Sequence, residues 1–586
     1  MKNLPVLLTL IIILSSGCSG KSTPIAPSGD TTPPVWDDKP GLRELEYSED
    51  YATLHWGTAT DADSPPVFYL IYKTTDENPW DSTPIERPDN EPYTFTDLTP
   101  GVKYRFGVRC RDSADPSNID TNTVVLTRLT GISNGDDHDN GTPTNSGWVE
   151  SWGGTGDDSA HGVAVSQSGN VFITGHFEQS VDFNPGDGVN MLDSNGGSDV
   201  FILELDASGE FKKAVHWGGS DNDSGTGICL DNSGNVFVSG FFSREVDFNP
   251  GAASMPVNIH DSINVFLSRF DSAISFHWTE HWGWKSGLFS KVAVDSDGNC
   301  LAGGTLMEDD TIGGFARKIL PDSSLSWNFV LGEDGSTLFI SDIAVDKSGN
   351  LLVTGHFMDS IDFDPGYLPA IHASQGEEDA FLAKFSPGGN LRWVNTWGGD
   401  SADKALGIAT DHYGNVYVTG QFSGTVYFDT NTGDESRTSE GGTDAFLCRF
   451  DMNGNFIWVN TWGGNEIDSG TGVVADSSGN VYVTGIFESD ADFNPGFAEE
   501  IKSSNGLTDI FVCKYNGTGV YYWTRTFGGS GNDCPHSVAV DKVGNVYVAG
   551  EFESSVDFNP LSPDGLAVSN GGSDCFIVKL LPDGSL

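Results

Sequence analysis

From Trp148 onward the chain alternates apolar and polar residues in short runs, each stopped by glycine, asparagine or aspartate. Period-two runs bounded by turn residues predict half-buried strands. In TGVVADSSGNVYVTGIF two such runs flank a D-x-x-G-N segment. The Asp can accept backbone hydrogen bonds across the turn and the Gly can take the left-handed position, which predicts a hairpin with a type I turn and a bulge. A second hairpin follows, as in DAFLCRFDMNGNFIWVNTWGG.

The turn recurs at Asn170, Asn235, Asn299, Asn350, Asn415, Asn480 and Asn545, mostly 65 residues apart, with a shorter step of 51 from Asn299 to Asn350. A glycine follows five residues after each: Gly175, Gly240, Gly304, Gly355, Gly420, Gly485 and Gly550. Four strands per repeat make one blade of a β-propeller, and there are seven repeats. The fourth strand ends in an aromatic or apolar residue with Trp four positions earlier, as in Trp393/Trp397, Trp458/Trp462 and Trp523/Phe527. The last repeat stops at LPDGSL, where its fourth strand should begin, while Trp148/Trp152 shows the same pattern ahead of the first. Trp148–Trp152 is therefore expected to supply that strand and close the ring, leaving no edge exposed. The third repeat departs from the pattern, with WGWKSGLFS and a short MEDDTIGGF loop, and predicts a thinner blade or a notch.

WGGTGDDSAHGVAVSQSGNVFITG and its copies resemble the bacterial SBBP β-propeller repeat family, which implies the architecture and no single activity. Upstream, LEYSEDYATLHW and FYLIYKT alternate as strands do, and LTPGVKYRFGVRCRD is similar to the fibronectin type III pattern. That resemblance implies a β-sandwich with Leu98 and Tyr104 in a tyrosine corner and Trp56 in the core. The fold class is thus all-β, a fibronectin type III-like sandwich (35–130) followed by a seven-bladed propeller (148–586) with single-strand N-terminal closure. Residues 18–34 and 131–147, rich in Pro, Ser, Thr, Gly and Asn, read as a tether and a linker.

The opening MKNLPVLLTLIIILSSGCSG has a basic start and an apolar run from Leu4 to Leu14, too short to span a bilayer, so residues 1–17 read as a signal peptide. Ser15, Ser16 and Gly17 before Cys18 resemble a bacterial lipobox. The resemblance implies that Cys18 is diacylated and anchors the chain in the cell envelope, with Ser19 favouring the outer membrane. The other seven cysteines are scattered without CxxC spacing, which indicates neither a zinc site nor a disulfide framework.

A formal charge of −53 should repel nucleic acid and anionic surfaces. Three aspartate positions recur on or near the face carrying the longer loops. Asp158, Asp223, Asp403, Asp468 and Asp533 precede the first strand. Asp182, Asp247, Asp362, Asp492 and Asp557 open a D-F-[ND]-P motif, and Asp199, Asp379, Asp444, Asp509 and Asp574 begin the third strand. Their repetition favours loop pinning, since a unique active site needs no five copies. Ca²⁺, which takes oxygen ligands, is the one cofactor they suit, although no EF-hand loop is present. His161, His176 and His356 stand singly in their blades and read as packing residues. No G-x-S-x-G, P-loop or H-E-x-x-H motif is present.

The leading expectation is a monomeric, non-catalytic envelope scaffold whose longer-loop face binds an extracellular or periplasmic protein or polysaccharide. The rivals are a glycan hydrolase or lyase with an axial site, and a purely structural component.

Overall fold

The computed structural model describes residues 146–586, less the short segments 187, 252–254, 284–285, 309–310, 333–334, 365, 367, 430–434, 495–498 and 560–565. Within 35–129 it describes the strands alone, so Cys18, the signal segment, the tether, the linker and Leu98 lie outside the described residues, as do the side chains of Trp56 and Tyr104. The chain divides into two compact units, Met1–Thr142 and Pro143–Leu586. Every regular element among the described residues is a strand.

In the first unit, Leu42–Tyr47, Ala52–Trp56 and Tyr93–Phe95 form a three-stranded sheet. Ile85–Arg87, Phe68–Thr74, Lys103–Arg111 and Val125–Leu129 form a second, four-stranded one. Tyr69, Ile71, Val108 and Cys110 of the second sheet are buried.

The second unit is a run of antiparallel four-stranded meanders. The sixth is representative: Asp468–Ala475 pairs with Asn480–Phe487, that with Asp509–Asn516, and that with Tyr521–Phe527. The expected turn chemistry holds: Asp476 Oδ1 accepts from Ser478 N and Asn480 N, and Gly479 takes φ 81°. Gly485 is needed for close approach, because a Cβ there would collide with the carbonyl oxygen of Ser469 on the first strand.

Each first strand packs against the first strand of the next meander, and the seventh, Asp533–Val540, packs against that of the first, Ser159–Val165. The seventh meander has only three strands of its own. Its fourth is Trp148–Trp152, paired antiparallel with Leu566–Leu580 from Trp148↔Lys579 to Trp152↔Cys575. Trp148 also behaves as a fourth-strand tryptophan: its Nε1 donates to Ala207 O in the turn of the next meander, 3.2 Å away. Trp458 and Trp523 make the same bond to Gly517 O and Pro582 O. Where the first meander lacks this Trp, Lys213 Nζ donates to Ala273 O at 2.6 Å, one residue past the equivalent carbonyl.

In six meanders the second and third strands extend as a hairpin past a residue of positive φ (Gln179, Arg244, Asp359, Gly424, Ser489 or Ser554), ending at the D-F-[ND]-P aspartate in five of them and at Tyr427 in the fifth meander. Three of these hairpins reach back to the preceding meander at the end of its fourth strand or two residues past it, pairing Gly219↔Val246, Gly464↔Ala491 and Gly529↔Val556. The third meander has all four strands but no such hairpin, since Cys300–Glu308 turns directly into Thr311–Ile319. The expected irregularity is thus a missing latch and not a missing strand.

Candidate functional site

The recurring aspartates hold loops. Asp223 Oδ2 accepts from Gly219 N (2.7 Å) and Oδ1 from Ser243 N (2.9 Å), while its own N–H donates to Ser198 O (2.8 Å). Asp158 and Asp403 repeat the arrangement with Gly154/Glu178 and Gly399/Ser423. Asp533 does so with Gly529/Glu553, and Asp468 Oδ2 accepts from Gly464 N. Asp182, Asp247, Asp362 and Asp492 each accept two backbone N–H bonds through Oδ1, two and eight residues onward, and Asp557 shares the first of these. This is Asx-turn chemistry that shapes the D-F-[ND]-P loop. Asp199 meets Asn195 and His216, whereas Asp379, Asp444, Asp509 and Asp574 accept backbone N–H groups four residues earlier. Among the described residues no three His, Cys, Asp or Glu side chains converge as a metal ion requires.

The non-repeating chemistry lies instead on the first and second strands. Each first strand carries a β-bulge opposite the repeated glycine, and a bulge re-aims its extra residue. In the first and seventh meanders the bulge residues are His161 and His536, flanked by register shifts at Ala160/Gly162 and Pro535/Ser537. These two meanders are neighbours through the return of the seventh first strand to the first, so the rings of His161 and His536 lie 4.8 Å apart. His176, just after its repeated glycine, completes the group: His161 Nε2 and His176 Nδ1 are 3.1 Å apart and the rings stack. Glu551 occupies the same second-strand position in the seventh meander, its Oε1 3.6 Å from His536 Nε2. Ser224 Oγ lies 3.4 Å from His176 Nδ1.

Burial drives the electrostatics. It holds His161 well below the ordinary imidazole range, with His536, His176 and Lys291 adding to the effect. His176 is lowered for the same reason, opposed by Glu551. Burial works against the charge of Glu551, but His536 and His176 keep its carboxyl below the usual range. His161 and His176 are therefore neutral imidazoles at neutral pH, close to the carboxylate of Glu551.

A second non-repeating group joins the fourth and fifth meanders. Glu378 stands where four other repeats have Ser or Thr, and its carboxylate meets Lys404 Nζ at 2.6 Å and His356 Nε2 at 3.5 Å. His356 stacks on Phe339 and is pushed down to about 4 by burial, with Glu378 opposing and Lys404 assisting. Lys291 and Asp342 replace a residue that is Gly162, Gly227, Gly407, Gly472 or Ser537 in the other repeats. Lys291 Nζ donates to Thr226 O at 3.1 Å, and Asp342 Oδ2 accepts from Ile408 N at 3.0 Å.

His161, His176 and His356, expected to stand alone, are thus members of two clusters. No sequence motif marks His536, Glu551, Glu378, Lys404, Lys291 or Asp342. The available signal was positional: polar residues that break the repeat immediately after the second-strand glycine or at the bulge.

The SBBP β-propeller repeat family matches residues 523–551, the segment carrying Asp533, His536 and Glu551. Among curated proteins, an uncharacterized WD repeat-containing protein of Acanthamoeba polyphaga mimivirus is 26% identical over 185 residues, covering 28% of this chain and 13% of its own length. The regulatory protein FlaEY of Caulobacter vibrioides is 25% identical over 225 residues, 38% of this chain and 22% of its own length. The chain spans less than a quarter of either relative. Among solved structures, polysaccharide lyase Uly1 gives a TM-score of 0.38 at 10% identity, covering 72% of this chain and 90% of that one. A eukaryotic initiation factor gives 0.33 at 11%, covering 74% and 98%. Likeness at this level carries no argument about activity. By its matched repeat and its all-β architecture the chain is a β-propeller repeat protein.

Proposed function

We propose that Pro143–Leu586 is a seven-bladed β-propeller whose inner mouth, lined by His161, His176, His536, Glu551, His356 and Lys404, is a ligand-binding site. The supporting observation is the contrast between aspartates spent on loop pinning and polar residues that break the repeat only at that mouth. On this reading the protein is a non-catalytic binding scaffold of the bacterial cell envelope, monomeric and anchored through a diacylated Cys18. Residues 35–130 form a fibronectin type III-like spacer, a reading supported by the division of its strands into sheets of three and four. The ligand is an extracellular or periplasmic protein or polysaccharide and not a nucleic acid, given the charge of −53. Glycan-array and pull-down screens of the full chain test this. A ligand whose binding falls at least tenfold in His161→Ala and Glu551→Gln supports the mouth as the site. A ligand indifferent to both substitutions removes it.

A second reading, a glycan hydrolase or lyase at the same mouth, is favoured by one arrangement: neutral His161 and His176 beside the His536–Glu551 pair, which suits proton transfer. Release of reducing ends or unsaturated products from polysaccharides, abolished in His536→Ala, would establish it.

A further inference from the structure

Two of the recurring aspartate sets meet at the junctions between meanders. At each of five junctions the aspartate that precedes the first strand of one meander donates its N–H to the carbonyl just before the third-strand aspartate of the preceding meander, which brings together Asp199 with Asp223, Asp379 with Asp403, Asp444 with Asp468, Asp509 with Asp533, and Asp574 with Asp158. All ten are buried, none more than 4% exposed. At the fifth junction Asp444 Oδ1 and Asp468 Oδ2 lie 2.8 and 2.9 Å from one point, the place a Cβ on Gly463 would occupy. In every pair the third-strand aspartate leaves its buried Oδ1 without a hydrogen-bond partner. A buried carboxylate oxygen with no donor is costly, and two adjacent carboxylates cannot both ionise cheaply.

The pair is also lost as a unit. Before the third meander the two positions are Asn264 and Gly287, and after it Gly313 and Leu338, by the same register to the second strand. Five junctions therefore have both carboxyls and two have neither. Loop pinning explains each aspartate alone but not their joint loss. Asn264 Oδ1 sits against Gly283 as Asp199 Oδ1 sits against Gly218, so an amide fills the third-strand position where the partner is absent.

We propose that each of the five aspartate pairs holds one shared proton, donated from one carboxyl to the other, so that the junctions are proton-locked clasps. The charged surroundings suit a proton. The groups acting on the pairs are Glu178, Asp221, Glu440, Glu488 and Glu553, all acidic. The basic ones are His216, 3.1 Å from Asp199, and Arg244, 3.7 Å from Asp221. Burial, opposed by backbone N–H bonds, pushes Asp223, Asp403, Asp468 and Asp533 up to about 7 and Asp158, Asp379, Asp444, Asp509 and Asp574 up to about 6. Carboxyls raised above their unfolded value make the folded state take up protons, so stability is fully present near pH 4 and lost as pH rises past 7. The lowered His161 and His176 act oppositely, losing stability as pH falls below 6.5. The clasp is therefore read as a difference between variants.

The test uses the full chain and a variant carrying Asp199→Asn, Asp379→Asn, Asp444→Asn, Asp509→Asn and Asp574→Asn, in which an amide replaces the shared proton. With EDTA present, the Tm of the unaltered chain should fall between pH 5.5 and 8 by on the order of 10 °C more than that of the variant. At pH 6 an infrared band of protonated carboxyl should be present in the former and lost from the latter. Should the variant fail to fold, Asp444→Asn alone should remove about a fifth of the band, one pair of five. Equal pH slopes, or no band, would overturn the proposal. So would a Tm restored at pH 8 by Ca²⁺ alone, which would make the pairs cation sites.

Discussion

The junction between the fifth and sixth meanders and the one between the second and third come from the same repeat yet are held differently. At the former, Asp468 anchors Gly464, Asp444 faces Asp468, the hairpin of the sixth meander pairs with Gly463 and Gly464, and Trp462 packs on Phe511 and Tyr515. At the latter both aspartates are replaced and no hairpin is formed. Trp282 packs on Phe315 with the guanidinium of Arg317 over its ring at 4.5 Å. What the third meander has instead lies on the first strands, where Lys291 reaches back to Thr226 O and Asp342 of the fourth meander reaches on to Ile408. These contacts lie on the first strands, beside the polar residues that break the repeat.

Four measurements sharpen or break this comparison. Trp462→Ala should cost about 4 kcal/mol in denaturant melts, and Trp282→Ala about 3, because its surroundings are less completely packed. Equal costs would remove the distinction. Asp468→Ala should cost about 2 kcal/mol by leaving the N–H of Gly464 buried without an acceptor. Native-state hydrogen exchange should be roughly tenfold faster in Cys300–Glu308 and Thr311–Ile319 than in Asn480–Phe487 and Asp509–Asn516. Uniform protection would mean that the missing clasps do not matter. Asp492→Ala, which frees only the Asn494 and Glu500 N–H groups of a loop, should cost about 1 kcal/mol.

Much of the framework was legible because it is local. The D-x-x-G-N turns are settled within five residues, and their Asp and Gly do what their chemistry dictates, as at Asp476 and Gly479. The strand borrowed from Trp148–Trp152 was legible because a strand missing at one end and surplus at the other leaves one economical pairing. The hairpin latches were not, since Gly464↔Ala491 joins neighbouring meanders through a bend that depends on a positive φ at Ser489. Nor did the shared environment of Asp444 and Asp468 follow from their spacing, because the fourth strand between them must first fold back.

By itself the sequence determined an all-β chain of repeating hairpins, where the repeat is broken, and which acids recur. Only the tertiary structure decided that His161 and His536, near opposite ends of the repeat array, are neighbours, and that acids from consecutive meanders share one buried space. The reason is physical. Strand and turn preferences act over a few residues, whereas the meeting of these side chains depends on packing that brings the seventh inner strand back to the first.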